Sequence, residues 1–331
     1  MESRNHDGPD LDHIIANALQ VNGRASWEAI SRAIDVPSRT VMRRGQSLLE
    51  TGRVRVSTYV DASKLLHARG VLLRVRAEIS KVASVARSIA ALPDASSVSI
   101  LEGAGDIAAL VLVRNTGTHR TLLLETLPDI AGIESFEVST VLRPYRIGLD
   151  WQAGLLSDDQ IRILSKGLPD QGNMSGPGPV VLDELDQTLI QQLSEDGRAT
   201  ISMLASHANI NSQTVRRRLD ALLGVGVLRV RTEVDPEFFD YKVEALIWLH
   251  INSGDVETIG SGLATHPLVR YCAATTGHAG LLVDALFKDE EALFHFQNDT
   301  IGALSTVEIA ESRVVLEAVK RGPLLIGEHA A

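Results

Sequence analysis

The sequence has one cysteine, Cys272, among 331 residues. This excludes an internal disulfide framework and a cysteine-based zinc site. Its ten histidines are scattered, with no His-x-x-x-His pair, so neither a metal nor a cofactor is expected. No apolar run is long enough to cross a bilayer. The polar, mixed-charge stretch MESRNHDGPD does not have the form of a secretory signal. The expectation is a cytoplasmic chain with no membrane partner. Net positive charge is also lacking, at −10. Taken alone, that argues against nucleic acid, since a binder needs a basic footprint. A total can conceal a local patch, however. What is present is ordinary for a globular protein: 44% hydrophobic and 22% charged residues. The length implies two or more domains.

An internal repeat resolves the domain count. Leu11-Asp12 recurs as Leu185-Asp186, Gly23-Arg24-Ala25 as Gly197-Arg198-Ala199, and Arg43-Arg44 as Arg217-Arg218, all at an offset of 174. About 19 of the 52 positions from 10 to 61 are identical in the second copy, far above chance. The offset continues more faintly through Gly103 and Gly277, and through Val141-Leu142 and Val315-Leu316. A module of about 140 residues is therefore used twice. The period is too long for a solenoid. The expected linker is 144–181. It opens with a capping-box spacing at Ser157-Asp158-Asp159-Gln160 and continues into the Gly- and Pro-rich stretch 167–179.

The first third of each module, 10–61 and 182–235, predicts three short helices. Ser26 and Thr200 stand as N-caps of the second helix, and Ser38 and Ser212 as N-caps of the third. Val41, Leu48 and Leu49 fall on one side of the third helix, with Arg39, Thr40 and Arg43 on the other. In the second copy Val215, Leu219 and Leu222 oppose Gln213, Thr214, Arg216 and Arg217. Gly52 and Gly226 stop the helices, and valines alternate with arginines in the strands that follow. This is a helix-turn-helix with a small wing. Ser38–Arg55 carries five Arg against one Glu, and Ser212–Arg231 five Arg against one Asp. Such a repeated basic face on an acidic chain suits double-stranded DNA, where Arg neutralises phosphate and reads guanine edges. A solvated helix face is the bland alternative, and it weakens when the same pattern occurs twice in the same context.

The remainder of each module, 68–143 and 243–320, alternates strand, helix, strand, strand, helix, strand. That βαββαβ order is the ferredoxin-like motif, so the fold class is α+β. The sheets of the two copies could cover each other. Gly103-Ala104-Gly105-Asp106-Ile107-Ala108 fits the loose dinucleotide fingerprint, but Ile107–Val113 has the composition of a strand. The fingerprint must open a helix, so a hairpin turn is the better reading.

Taken in order, Leu-Asp, Gly-Arg, Ser-x-Thr-Val-x-Arg-Arg, the Gly stop and Val234-Asp235-Pro236 make each module resemble the Lrp/AsnC family of regulators. The chain resembles a tandem fusion of two, each a winged helix-turn-helix plus a RAM/ACT-like ferredoxin domain. The resemblance implies a DNA-binding transcriptional regulator, not an enzyme, that forms homo-oligomers and is modulated by a small effector such as an amino acid or related metabolite. Carried over by position, Ser38, Arg39, Thr40, Arg43, Arg44 and Arg55 are the DNA-binding candidates of the first copy. Those of the second are Ser212, Gln213, Thr214, Arg216, Arg217, Arg218 and Arg229. The effector candidates are Gly103, Gly105 and Asp106, then Thr276, Gly277 and His278. His278 also fits a plain exposed turn. Two departures stand out. The Asp usual late in this turn is kept as Asp106 but replaced by Gly280, which predicts loss of the second effector site. Gly45 stands where the second copy has Leu219, which predicts a weakened or re-angled first reader, because a mid-helix Gly costs about 1 kcal/mol and loses a core side chain.

One chain is then expected to act as a pseudo-dimer on an imperfect palindrome, its readers in successive major grooves about 34 Å apart. Two alternatives stand beside this reading. Siroheme decarboxylases share the two-domain layout, but Val269-Arg270-Tyr271-Cys272 lacks their His-Cys-Tyr sequence, and aromatics are few. The other is an effector-sensing module without DNA binding.

Overall fold

A computed structural model describes residues 10–60, 68–166, 168, 182–322 and 324–325. The chain forms two compact units. One comprises residues 1–65 and 152–240, the other 66–151 and 241–331. The Gly/Pro-rich stretch lies outside the described residues, apart from Leu168.

The first unit holds both helix-turn-helix copies. The first copy is α1 (Leu11–Val21), α2 (Trp27–Ile34), α3 (Ser38–Glu50) and β1 (Val54–Val60). After α6 (Asp158–Leu164) comes the second copy: α7 (Glu184–Glu195), α8 (Ile201–His207), α9 (Ser212–Gly224) and β6 (Leu228–Val234). Ser26 and Thr200 accept from the backbone N–H groups of Ala29 and Met203, fixing the starts of α2 and α8. Asp35 and Asn209 end the second helices in the left-handed conformation, at φ 54° and 53°. The starts of α3 and α9 correct the sequence reading. Ser38 and Ser212 are the first helical residues, not the caps. Asn211 caps α9 by accepting from Thr214 N at 2.8 Å. Pro37 precedes α3 without a side-chain cap; its ring supplies only a preset φ.

The wing strands pair with each other. β1 runs antiparallel to β6, from Val54 opposite Val234 to Val60 opposite Leu228. One ribbon therefore joins the two copies. A reciprocal clasp flanks it. The Arg24 guanidinium donates to the carbonyls of Gly197 and Ala199, and that of Arg198 to those of Gly23 and Ala25. Burial lowers the pKa of both arginines. Gly197 lies against the backbone of Ser57, and its N–H donates to the Val56 carbonyl at 2.9 Å.

The expected linker is shorter than its 144–181 bounds. Its start forms the end of a strand, and residues after it are docked. Ala153 and Leu155 donate backbone N–H groups to Gln20 and Asn17 on α1. The Asn22 amide donates to the Leu164 carbonyl. Ser157 and Gln160 complete the capping box of α6. Burial of Leu156 and Leu164 explains the docking: apolar side chains leave water when a surface is available.

The second unit holds both ferredoxin-like copies. The first is β2 (Arg69–Ala77), α4 (Val82–Ala90), β3 (Ala95–Leu101), β4 (Asp106–Val113), α5 (Thr116–Thr121, continued by a π turn) and β5 (Ile133–Arg146). The second is β7 (Val243–Ile251), α10 (Val256–Ala264), β8 (Val269–Thr275), β9 (Leu281–Phe287), α11 (Glu290–His295, likewise continued) and β10 (Val307–Arg321). A two-residue strand, β11 (Leu324–Leu325), borders β10. Along β2, Val71, Leu73, Val75 and Ala77 are buried with Val85, Ala86 and Ile89 of α4, as a period of two requires. The sheets also join by their edges. β5 pairs with β8, and β10 with β3, so eight strands close into a ring. Closure leaves β3 and β8 without free ladder edges, which otherwise invite further pairing.

Inside the second copy lies a charged cluster. Arg270 holds Glu244 at 3.1 Å, and Arg321 also pairs with Glu244. Beside them Asp284 is pushed up to about 7, by burial first and the Glu244 carboxylate second. Its Oδ1 has no hydrogen-bond partner among the described residues. The fold therefore favours the protonated acid, so the unfolded chain binds fewer protons above its own carboxylate pKa. Stability falls as pH rises from the unfolded value toward 7. Asp284→Asn keeps a donor for Glu244 and removes this penalty. It should melt above the wild type at pH 8, by roughly 2–4 °C per kcal/mol relieved, with the gap closing toward pH 4. A lower melting temperature at pH 8 would refute the assignment.

Candidate functional site: nucleic-acid interface and effector turns

The predicted DNA-facing residues divide by helix phase. Arg39 and Arg43 on α3 are exposed, as are Ser212, Gln213, Arg216 and Arg217 on α9. Ser38, Thr40 and Thr214 are half-buried beside them. Arg55 is exposed on β1, whereas Arg229 on β6 is half-buried. Arg44 and Arg218 turn back onto their own domains. Arg44 pairs with Asp12 at 2.9 Å, and Arg218 with Asp183 at 2.7 Å and Asp186 at 3.3 Å. Each pins the third helix to the start of the first. The repeated Leu-Asp and Arg-Arg motifs are thus linked in space, and only the first Arg of each pair is left to face outward.

Gly45 leaves α3 unbroken and its packing filled. α3 and α9 both span 13 residues. A Cβ at Gly45 would lie 2.4 Å from the Trp27 ring. The indole fills the space that Leu219 occupies in the second copy, where Ile201 stands at the position of Trp27. Arg198 stacks over the same indole at 4.4 Å, tying this packing to the clasp.

The two glycine turns expected to hold an effector have diverged. In the first, between β3 and β4, Gly105 has φ 89°, and a Cβ there would lie 2.2 Å from the Ala77 carbonyl oxygen. Asp106 is 2% exposed. Arg74, Arg76 and Arg313 approach it at 3.5, 3.6 and 4.0 Å. Arg74 also grips Glu311 with both terminal nitrogens, and Arg313 Nε donates to Glu311 at 2.6 Å. The hydrogen bond from Arg74 is the main reason the Glu311 carboxyl drops to about 2. Arg313 reaches the turn itself, donating to the Glu102 carbonyl at 3.3 Å.

In the second turn, between β8 and β9, Thr276 and Thr140 exchange hydrogen bonds at 2.8 and 2.9 Å. Gly277 has φ 98° and lies against Ser139, and the exposed His278 meets His250 edge-on at 4.4 Å. Beside them opens a cleft of about 750 Å³, bordered by Leu142, Ile251, Val256 and Glu308. The second turn borders open space, whereas Asp106 and the guanidinium groups around it crowd the first. Sequence reasoning missed Arg74, Glu311 and Arg313, which come from strands distant in the chain.

Family comparisons agree with this architecture. An AsnC-type helix-turn-helix domain matches residues 182–223, and an Lrp/AsnC ligand binding domain matches 244–325. The chain is 30% identical over 142 residues to the HTH-type transcriptional regulator FL11 of Pyrococcus horikoshii, covering 43% of this chain and 93% of that protein. It is 34% identical over 131 residues to an uncharacterised HTH-type transcriptional regulator, PYRAB01370, of Pyrococcus abyssi, covering 39% of this chain and 83% of the relative. Each relative thus corresponds in length to one module. Among solved structures, the siroheme decarboxylase NirDL matches with a TM-score of 0.60 at 15% identity, covering 94% of both chains. That likeness is one of fold. The chain belongs to the Lrp/AsnC family of helix-turn-helix transcriptional regulators, as a tandem of two modules.

Proposed function

We propose that one chain acts as a pseudo-dimer that binds double-stranded DNA through α3 and α9, in the cytoplasm, under the control of a small effector such as an amino acid. The observation that carries this reading is the paired basic face. Arg39 and Arg43, and Arg216 and Arg217, remain exposed on two third helices joined by one ribbon. Exposed guanidinium groups can contact phosphates and guanine edges, while Gln213 suits adenine. The outward residues differ, Arg39 and Met42 against Gln213 and Arg216, so the preferred site is an imperfect palindrome. An effector changes DNA affinity only through unequal affinity for two states. Homo-oligomers of such chains are part of this proposal.

The test is a binding titration on the DNA upstream of the chain's own gene, over a salt series. Affinity should fall steeply with salt. Arg217→Ala and Arg43→Ala should each lose about 1–3 kcal/mol, roughly 5- to 150-fold, and by comparable amounts, since Trp27 restores the packing around Gly45. No salt dependence, or no loss in either variant, sinks the reading.

A tetrapyrrole enzyme is the reading raised by the fold likeness to NirDL. The strand in question argues against it. Arg270 is held by Glu244, Cys272 is fully buried, and burial raises the pKa of the Tyr271 hydroxyl. Purified protein mixed with siroheme should show no change in the pigment's absorption spectrum.

A further inference from the structure

We infer that each chain binds one effector molecule, at the second turn, because its own side chains occupy the first. This rests on the proposal that the glycine turns hold the effector. The two sites can be compared position by position across the repeat. Arg74, Arg76, Asp106 and Arg313 of the first site correspond to Trp248, His250, Gly280 and Ser139 of the second. At the first turn the Arg313 side chain spans from Glu311 to the Glu102 carbonyl, with its guanidinium 3.1 Å from where a Gly103 Cβ would sit. Arg74 closes the other side, paired with Glu311 and stacked 5.1 Å over Trp248.

A ligand entering the first turn has to displace a carboxylate from two guanidinium groups. Charge-assisted and bidentate pairs of this kind are the strong ones. Two protein carboxylates, Asp106 and Glu311, thus stand where an anionic ligand group would go. At the second turn Ser139 is too short to span the space, and no carboxylate replaces Asp106 at Gly280. The cleft there is open and about 750 Å³.

The lining also sets the ligand class. Glu308 provides a carboxylate for a protonated amine, and Ser305, Thr306 and Asn252 offer hydrogen bonds. Leu142, Ile251 and Val256 form an apolar wall, the His250 and His278 rings offer nitrogens to a carboxylate, and among the described residues no Arg or Lys borders the cleft. A zwitterion with an apolar side chain fits this lining better than a dicarboxylate or a phosphate ester does.

The experiment is calorimetric titration of the full chain with each of the twenty common amino acids. One or more apolar amino acids should bind with a stoichiometry of one per chain, and aspartate and glutamate should give no heat. Leu142→Trp fills the cleft from an exposed position. It should abolish binding while leaving the circular dichroism spectrum unchanged. Two molecules per chain, or binding retained by Leu142→Trp, overturns the one-site inference but keeps the effector reading. If none of the twenty binds the wild type, the effector reading itself falls, and this inference with it.

Discussion

Gly45→Leu should destabilise the first helix-turn-helix by up to about 2 kcal/mol, and Trp27→Ile in the same chain should rescue it. Leucine regains the roughly 1 kcal/mol that glycine costs inside a helix. Against that, its Cβ lands 2.4 Å from the indole, and overpacking of this kind costs about 1–3 kcal/mol, occasionally more. Trp27→Ile alone leaves a void and loses the Arg198 stack, for roughly 2 kcal/mol. Together the two changes install the Ile201–Leu219 pair of the second copy. The double variant should return to within about 1 kcal/mol of the wild type, giving a coupling energy of opposite sign to the single losses. Denaturant unfolding of the four proteins completes the cycle. Additive losses would show that indole and glycine are not partners.

The second large effect belongs to the clasp. Arg24→Ala or Arg198→Ala leaves two carbonyls on the opposite copy without a partner. Bonds from a charged donor contribute about 1.5–3 kcal/mol each, so each variant should lose roughly 3 kcal/mol. Arg198→Ala should cost more, because it also removes the stack on Trp27. Burial first, and then the charge on Arg24, lower the pKa of Arg198. Removing both should therefore cost less than the sum. Amide hydrogen exchange along β1 and β6 provides the local readout, with protection lost in either variant. Full protection in Arg198→Ala would remove the clasp from the account.

Much of this was legible because it is periodic or repeated. Alternation in Val71, Leu73, Val75 and Ala77 defined a strand with one buried face. The offset of 174 exposed the two modules, and Gly52 and Gly226 marked helix ends that adopt φ 70° and 69°. What escaped was what depends on long-range pairing. Nothing local tells Arg43 from Arg44. Their difference is 100° of helix phase plus an aspartate 32 residues away. The clasp joins residues more than 170 positions apart, although a signal existed: Gly-Arg-Ala is identical in both copies, as a two-fold contact between them requires. Trp27 and Gly45 change together between the copies, a second signal that reading each position alone misses. The crowded first glycine turn owes its crowding to β10, whose register against β3 no composition pattern specifies.

A single chain is proposed as the pseudo-dimeric unit on DNA. Its most direct test is a stoichiometric titration on a duplex that carries both half-sites, at chain concentrations well above Kd. Saturation at one chain per duplex is expected, with Arg43→Ala and Arg217→Ala each weakening the complex. Saturation at two chains per duplex, with either variant binding normally, would contradict it.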